Sequence, residues 1–221
     1  MENRREQPHA YLRSVVLFVF MILGFVWLAP LVMAEEGITP CGQKLAGYYD
    51  SLDVEHLWLA NERVEWMTGQ TIPGSHKGSH CSTFVAAVCR RMGIYILRPP
   101  DHPQKLLADA QIKWLRDEGA AQGWRPVDSP FEAQRLANDG YVVVVAFGNP
   151  DPEKPGHIAF VRPSDRSKTA IEKEGPLIIQ AGMNNYSSCS VKEGFRHHPG
   201  AWNSSADFRV SFFANKQYDM R

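Results

Sequence analysis

Neither sign of charge prevails in this chain: 24 Lys and Arg stand against 24 Asp and Glu in 221 residues. Without residues 1–34 the balance is still even, at 21 basic to 22 acidic side chains. No overall field draws such a domain to nucleic acid or to a membrane surface, so neither is an expected partner on charge grounds. Internal repeats and low-complexity tracts are also missing, which excludes solenoids and compositionally biased linkers. Cysteine is sparse: four residues, at 41, 81, 89 and 189, do not make a small disulfide scaffold. Cys81 and Cys89 cannot pair if they share a helix, because eight residues at about 1.5 Å rise separate their Cα atoms by about 12 Å, beyond the limit of about 7 Å. Any bridge must then use Cys41 or Cys189, and those two, both outside the expected helices, are the preferred pair.

What is present is an apolar content of 44%, enough for one well-filled core. Arg4, Arg5 and Arg13 precede an apolar run from Val15 to Met33 that ends in Val32-Met33-Ala34. This reads as a signal peptide over 1–34 cleaved after Ala34, with an uncleaved N-terminal anchor as the alternative. Either way the domain over 35–221 is expected outside the cytoplasm, periplasmic or secreted. It meets a membrane only if the segment is retained.

Helical spacing of Leu52, Leu57, Val64 and Met67 predicts a helix from Ser51 to the "TGQTIPG" stretch. "CSTFVAAVCRRMG" predicts a second, with Arg90 and Arg91 near its end and Gly93 as stop. "QKLLADAQIKWLRDEG" and "SPFEAQRLANDG" predict two more, the latter capped by Ser129 with Pro130 at the first position. The texture then changes to "YVVVVAFG", "GHIAFVRP", "PLIIQAG", "CSVKEGF" and "FRVSFFA", five expected strands. Helices followed by strands predict an α+β domain, with helices packed on an antiparallel sheet of about five strands. "NPDPEKPG" reads as a long hairpin connection of the kind that borders a site.

Cys81 holds the address of a reactive thiol, at a helix start where free N–H groups and the helix dipole favour thiolate. Cys89, in mid-helix, is expected to be packed. A cysteine nucleophile needs a base and an orienter for that base. His157 opens a strand behind Gly156, and Gln180 is the one polar side chain within the next apolar strand. On one face of adjacent strands, the Gln180 amide oxygen can accept from the imidazole. The backbone amides of Cys81 and Ser82 are the expected oxyanion donors, being free of intrahelical partners. His80 is expected to touch substrate or face solvent. Asn184 is a candidate substrate contact, and Asn184 and Asn185 are reserves for the orienting role. The His197-His198 pair reads as loop, and Trp202 as either a groove wall or a locally packed side chain. His76, His80, Cys81 and His157 have zinc-ligand chemistry but no motif spacing, so no metal or cofactor is expected.

The order "CSTFV…GYVVVVAFG…GHIAFVRP…PLIIQAG" resembles the NlpC-type and CHAP-type cell-wall peptidases and amidases over about residues 60–182. The resemblance implies a papain-like fold and a Cys81, His157, Gln180 site that hydrolyses amides through an acyl-enzyme. It implies peptidoglycan stem peptides or cross-links as substrate. The chain departs from that pattern at His80, where those families often carry an acidic or amide residue, and it lacks their aromatic residue before the glycine turn. Two other functions fit the same residues: an inactive binding domain of the same fold, and a thiol transferase or deamidase acting on protein or polyamine amides.

Overall fold

The structure, a computed structural model, describes residues 37–216. The N-terminal segment read as signal peptide or anchor lies outside the described residues. No helix among the described residues is long and apolar enough to cross a membrane.

The chain opens with α1 (Pro40–Asp50), then a hairpin of β1 (Glu62–Val64) and β2 (Thr71–Ser75), followed by α2 (Cys81–Arg91) and α3 (Leu107–Asp117). Next come β3 (Arg125–Val127), α4 (Pro130–Asn138), β4 (Val142–Phe147) and β5 (His157–Val161). The last part holds α5 (Lys168–Glu174), β6 (Leu177–Ala181), β7 (Asn185–Ser190), α6 (Val191–Gly194), β8 (Trp202–Ser204), β9 (Asp207–Phe208) and β10 (Ser211–Asn215). The main sheet is six-stranded in the order β3-β10-β4-β5-β6-β7, with every neighbouring pair antiparallel. The mixed helix-and-sheet expectation is met, with six strands where about five were expected.

The run "VVVVAF" explains how the layers stack. All six residues of β4 are buried, which a strand with one wet face cannot be. Val142, Val144 and Ala146 join a core with Phe84, Val85 and Val88 of α2 and Ile112 of α3. Val143, Val145 and Phe147 join a second core with Ala133 and Leu136 of α4, Phe195 and Trp202. Helices therefore cover both faces of the central strands. The period-2 alternation survives as a choice between two apolar neighbours rather than between core and water.

Three local expectations are corrected. The helix expected from Ser51 lies earlier, at α1, where Thr39 caps and Pro40 starts it. Beyond it Asp53, Trp58 and Asn61 adopt left-handed backbone (φ 50°, 52° and 64°), which no helix tolerates. Trp58 is held there by tertiary contact: it is fully buried, its N–H donates to Gly69 O at 2.8 Å and its indole N–H to Trp66 O at 3.0 Å. The strand expected from "CSVKEGF" stops at Ser190, whose hydroxyl accepts from Glu193 N and starts α6. That Ser-x-x-Glu spacing is a helix-start signal legible in the sequence. Finally, all four cysteines are free. Cys41 sits inside α1, against Gly140. Cys189 sits on β7 in register with Ile178, so the expected Cys41–Cys189 bridge does not form.

Candidate active site

Cys81 is the first residue of α2, which packs across β5 and β6. The hydrogen-bond ladder of α2 begins with Phe84 N donating to His80 O, so the amides before it lie outside the ladder. Gln111 of α3 ties this end of the helix down, donating to Ser82 O at 3.1 Å and Leu97 O at 2.9 Å. Cys81 as a whole is 5% exposed. Around it the Ile158 and Ser82 backbone N–H groups and the Ser79 hydroxyl favour thiolate, yet burial outweighs them and pushes the thiol above its ordinary range, with Asp109 adding to the rise. The helix-start argument for a depressed thiol is thereby corrected: taking the sulfur out of water costs more than the exposed amides return. One of the two expected oxyanion donors, Ser82 N–H, is directed at the sulfur itself.

His157 begins β5 in register with Phe147 and is 4% exposed. Its Nε2 meets Gln180 Oε1 at 2.8 Å. Ile158 and Phe160 pack toward α2 with Cys81, whereas His157, the first residue of β5, lies against Phe195 and Gln180 against Gly194, on the face away from α2. Gln180 is itself fixed, donating through Nε2 to Asn184 O at 3.1 Å. A Cβ at position 194 would lie 2.6 Å from Gln180 Oε1, so α6 can close on this amide only with Gly194. Gly156 plays the same part beside His157: a Cβ there would meet Asp109 Oδ1 at 2.6 Å, and Asp109 accepts from the Gly156 N–H at 2.7 Å and from Asn149 N at 3.2 Å. Asp109 thus pins both ends of the "NPDPEKPG" connection.

His157 and Gln180 are joined directly, whereas among the described residues no hydrogen bond joins Cys81 to His157. With Nε2 committed to Gln180, proton exchange with a thiol falls to Nδ1. Burial holds His157 down at about 4, only partly opposed by the Gln180 bond. The resting pair is consequently neutral thiol and neutral imidazole.

Other positions part from expectation. His80 is 2% exposed rather than solvent-facing: its Nε2 meets Glu62 O at 2.8 Å and its ring stacks on His76 at 4.4 Å. Asn184 is exposed and serves Gln180 through its carbonyl. Asn185 has no part in orienting His157; its Nδ2 donates to Val54 O at 2.7 Å and Leu57 O at 2.8 Å, latching the turns after α1. Trp202 is buried, stacked on Phe208 at 5.2 Å. His198 lies parallel to the His157 ring at 5.3 Å, and Phe195 meets the same ring edge-on at 4.6 Å. Burial first, then His157 and His197, hold His198 at about 4. The tandem histidines were visible in the sequence but not their place against His157. Asp109 gave no signal, since an acid in a helix's first turn is ordinary.

Cys89 is fully buried and driven upward by burial, consistent with a packing role. Cys89→Ala is expected to cost about 1.5 kcal/mol of stability, read by urea denaturation, because it opens a small void in a closed core.

No protein-family model matches the chain, and no curated protein aligns with it.

Proposed function

We propose that the protein is an exported cysteine hydrolase that cleaves amide bonds, with Cys81 as nucleophile, His157 as general base and Gln180 as the residue that orients it. The observation that carries this reading is the 2.8 Å bond between His157 and Gln180, both nearly fully buried, on strands against which the helix that begins at Cys81 packs. Nothing in packing alone requires an imidazole and an amide, each nearly fully buried, to pair beside a helix-start thiol.

In the proposed reaction His157 Nδ1 takes the thiol proton as the sulfur attacks the amide carbonyl carbon. The tetrahedral oxyanion is held by the Cys81 backbone N–H, with the Ser82 N–H joining it as the sulfur becomes covalent. The carbon–nitrogen bond then breaks, and the proton passes from Nδ1 to the departing amine. A water, deprotonated by the same nitrogen, attacks the thioester, releasing acid and restoring the thiol. Gln180 keeps the ring in the tautomer with its proton on Nε2 throughout. The fold we assign to it is papain-like. The substrate we assign is a peptidoglycan stem peptide or cross-link, which rests on the motif resemblance and on the N-terminal segment read as an export signal.

Burial of both groups supports a second reading, an inactive binding domain of the same fold. Digestion of purified peptidoglycan by wild type and Cys81→Ala, followed by mass analysis of the fragments, separates the two. Released fragments that depend on Cys81 support the hydrolase; identical profiles remove it. A mass change of about 1 Da without chain cleavage, in protein or peptide amides, would instead mark a deamidase. Gln180→Ala is expected to lower kcat/KM about a hundredfold, toward the lower end of what a positioned general base supplies. Steady-state kinetics on the released fragment check this.

A further inference from the structure

The tandem histidines His197 and His198 follow α6 in a turn that the proposed reaction does not use, yet one of them lies against the proposed base. Phe195 N donates to Val191 O at 2.9 Å, His198 N to Phe195 O at 2.8 Å and Ala201 N to His198 O at 3.0 Å, so the backbone on both sides of His198 is fixed. Gly200 completes the turn in left-handed backbone, at φ 78°. The His198 ring is thereby set on a cross-strand pair. Phe147 of β4 and His157 of β5 stand in register, and the centroid of His198 lies 5.3 Å from each of their rings. It is nearly parallel to His157, at 16°, and tilted by 48° to Phe147.

No hydrogen bond holds the His198 side chain among the described residues, so the ring contacts alone define its place. It is half-buried, whereas His157 beneath it is closed off. An imidazole suits that position because its faces pack as an aromatic ring does while its edge tolerates water. The titratable groups acting on it are His157 from β5, His197 from its own turn and Asp109 from α3; Phe147 and Phe195 bring no charge. Burial holds its proton affinity down, His157 and His197 add to this and Asp109 opposes it, so the ring is uncharged at neutral pH. That neutrality bears on His157. When the thiol proton reaches Nδ1 the base becomes an imidazolium, and a cation stacked on its face would oppose the transfer.

We infer that His198 is a positioning residue that acts through His157: a flat, uncharged ring that covers one face of the base and holds it for proton exchange with Cys81. The catalytic half of this inference rests on the hydrolase reading; the ring-holding half does not.

The test compares full-length wild type with His198→Ala, His198→Phe and His198→Arg in two measurements. One is kcat and KM on a soluble peptidoglycan fragment. The other is the solvent-exchange rate of the His157 Nε2 proton by NMR at neutral pH, the signal being assigned by its loss in His157→Phe. His198→Ala should lower kcat about tenfold with KM little moved, and should speed exchange by opening the face of the ring to water. His198→Phe keeps a flat ring and should recover most of both losses. His198→Arg also stacks as a plane and should keep the proton protected, yet lower kcat about a hundredfold, the ratio that two unit charges about 5 Å apart give at an effective dielectric of about 20. A role in packing alone would not separate Phe from Arg in kcat while leaving exchange the same in both. Equal kcat in the Phe and Arg variants, or unchanged exchange in His198→Ala, overturns the assignment; if His198→Ala does not fold, the Phe and Arg pair decides it. Should wild type hydrolyse nothing, the hydrolase reading falls and exchange alone decides the ring-holding role: protection lost in the Ala variant and kept in the Phe variant leaves it standing, and protection kept in both removes it.

Discussion

Cys81→Ala is expected to remove amide hydrolysis altogether, by about four orders of magnitude or more, while the urea midpoint moves little. The two halves of this expectation come from different features of one side chain. Its sulfur is the atom proposed to form the acyl bond, and around it the Ser79 hydroxyl and the Ser82 backbone N–H act as donors that favour thiolate. Structurally, Ala keeps the helix start, and α2 stays tied by Gln111 through backbone carbonyls that the mutation does not touch. Intact protein should also alkylate more slowly than free cysteine at neutral pH, because Cys81 is buried and burial raises its thiol. This reverses the expectation drawn from a helix start alone. Substrate must supply what the resting site lacks, contact that shields the sulfur as it becomes charged. Mass-spectrometric mapping of iodoacetamide adducts checks both points: fast labelling at Cys81 in the resting protein contradicts the closed site, and retained hydrolysis in Cys81→Ala contradicts the mechanism.

The elements around this site were legible where local chemistry and tertiary packing agreed. Ser129 and Pro130 place α4, because a helix start is decided by neighbours in sequence. The His157–Gln180 bond was legible as a condition, that the two strands be adjacent with both side chains on one face, and the β5–β6 register meets it. What failed was decided at long range. Trp58 has helical spacing with its neighbours, but burying its indole and bonding to Gly69 outweigh propensity and hold the backbone left-handed. His80 has the composition of an exposed turn; its burial depends on the Glu62 carbonyl and the His76 ring, which only the folded hairpin brings there. The state of the thiol was illegible for the same reason: the helix start is local, whereas desolvation is a property of everything packed over it. Asp109, which pins Gly156 and Asn149 across some forty positions, is the residue the sequence hid most completely.

Acid is expected to destabilise the domain well before its carboxylates titrate, and His157 is the chief cause. Its ordinary value is 6.5, and burial holds it at about 4 in the folded protein. Between these two values the unfolded chain binds a proton that the folded chain refuses. Stability therefore rises with pH through this window and is lost as pH falls through it. The full contribution is present above 6.5 and amounts to about 3 kcal/mol, a large share of the stability of an ordinary domain. His198 acts in the same direction and window, to a smaller extent because its ring is only half buried. At the other end Cys81 and Cys189 are raised, Cys189 to about 12, so the unfolded chain loses protons first above 9 and stability falls again as pH rises. A plateau between 6.5 and 9 results. Urea midpoints measured from pH 4 to 8 should fall steeply below 6.5 in wild type and much less in His157→Phe, whose ring can occupy the same apolar wall against Phe195 without a proton to refuse. An equally steep fall in the variant would assign the acid sensitivity elsewhere. The same depression predicts catalysis in acid: because the base is neutral down to about 4, kcat/KM should hold on the acid side until stability, not protonation of His157, ends it.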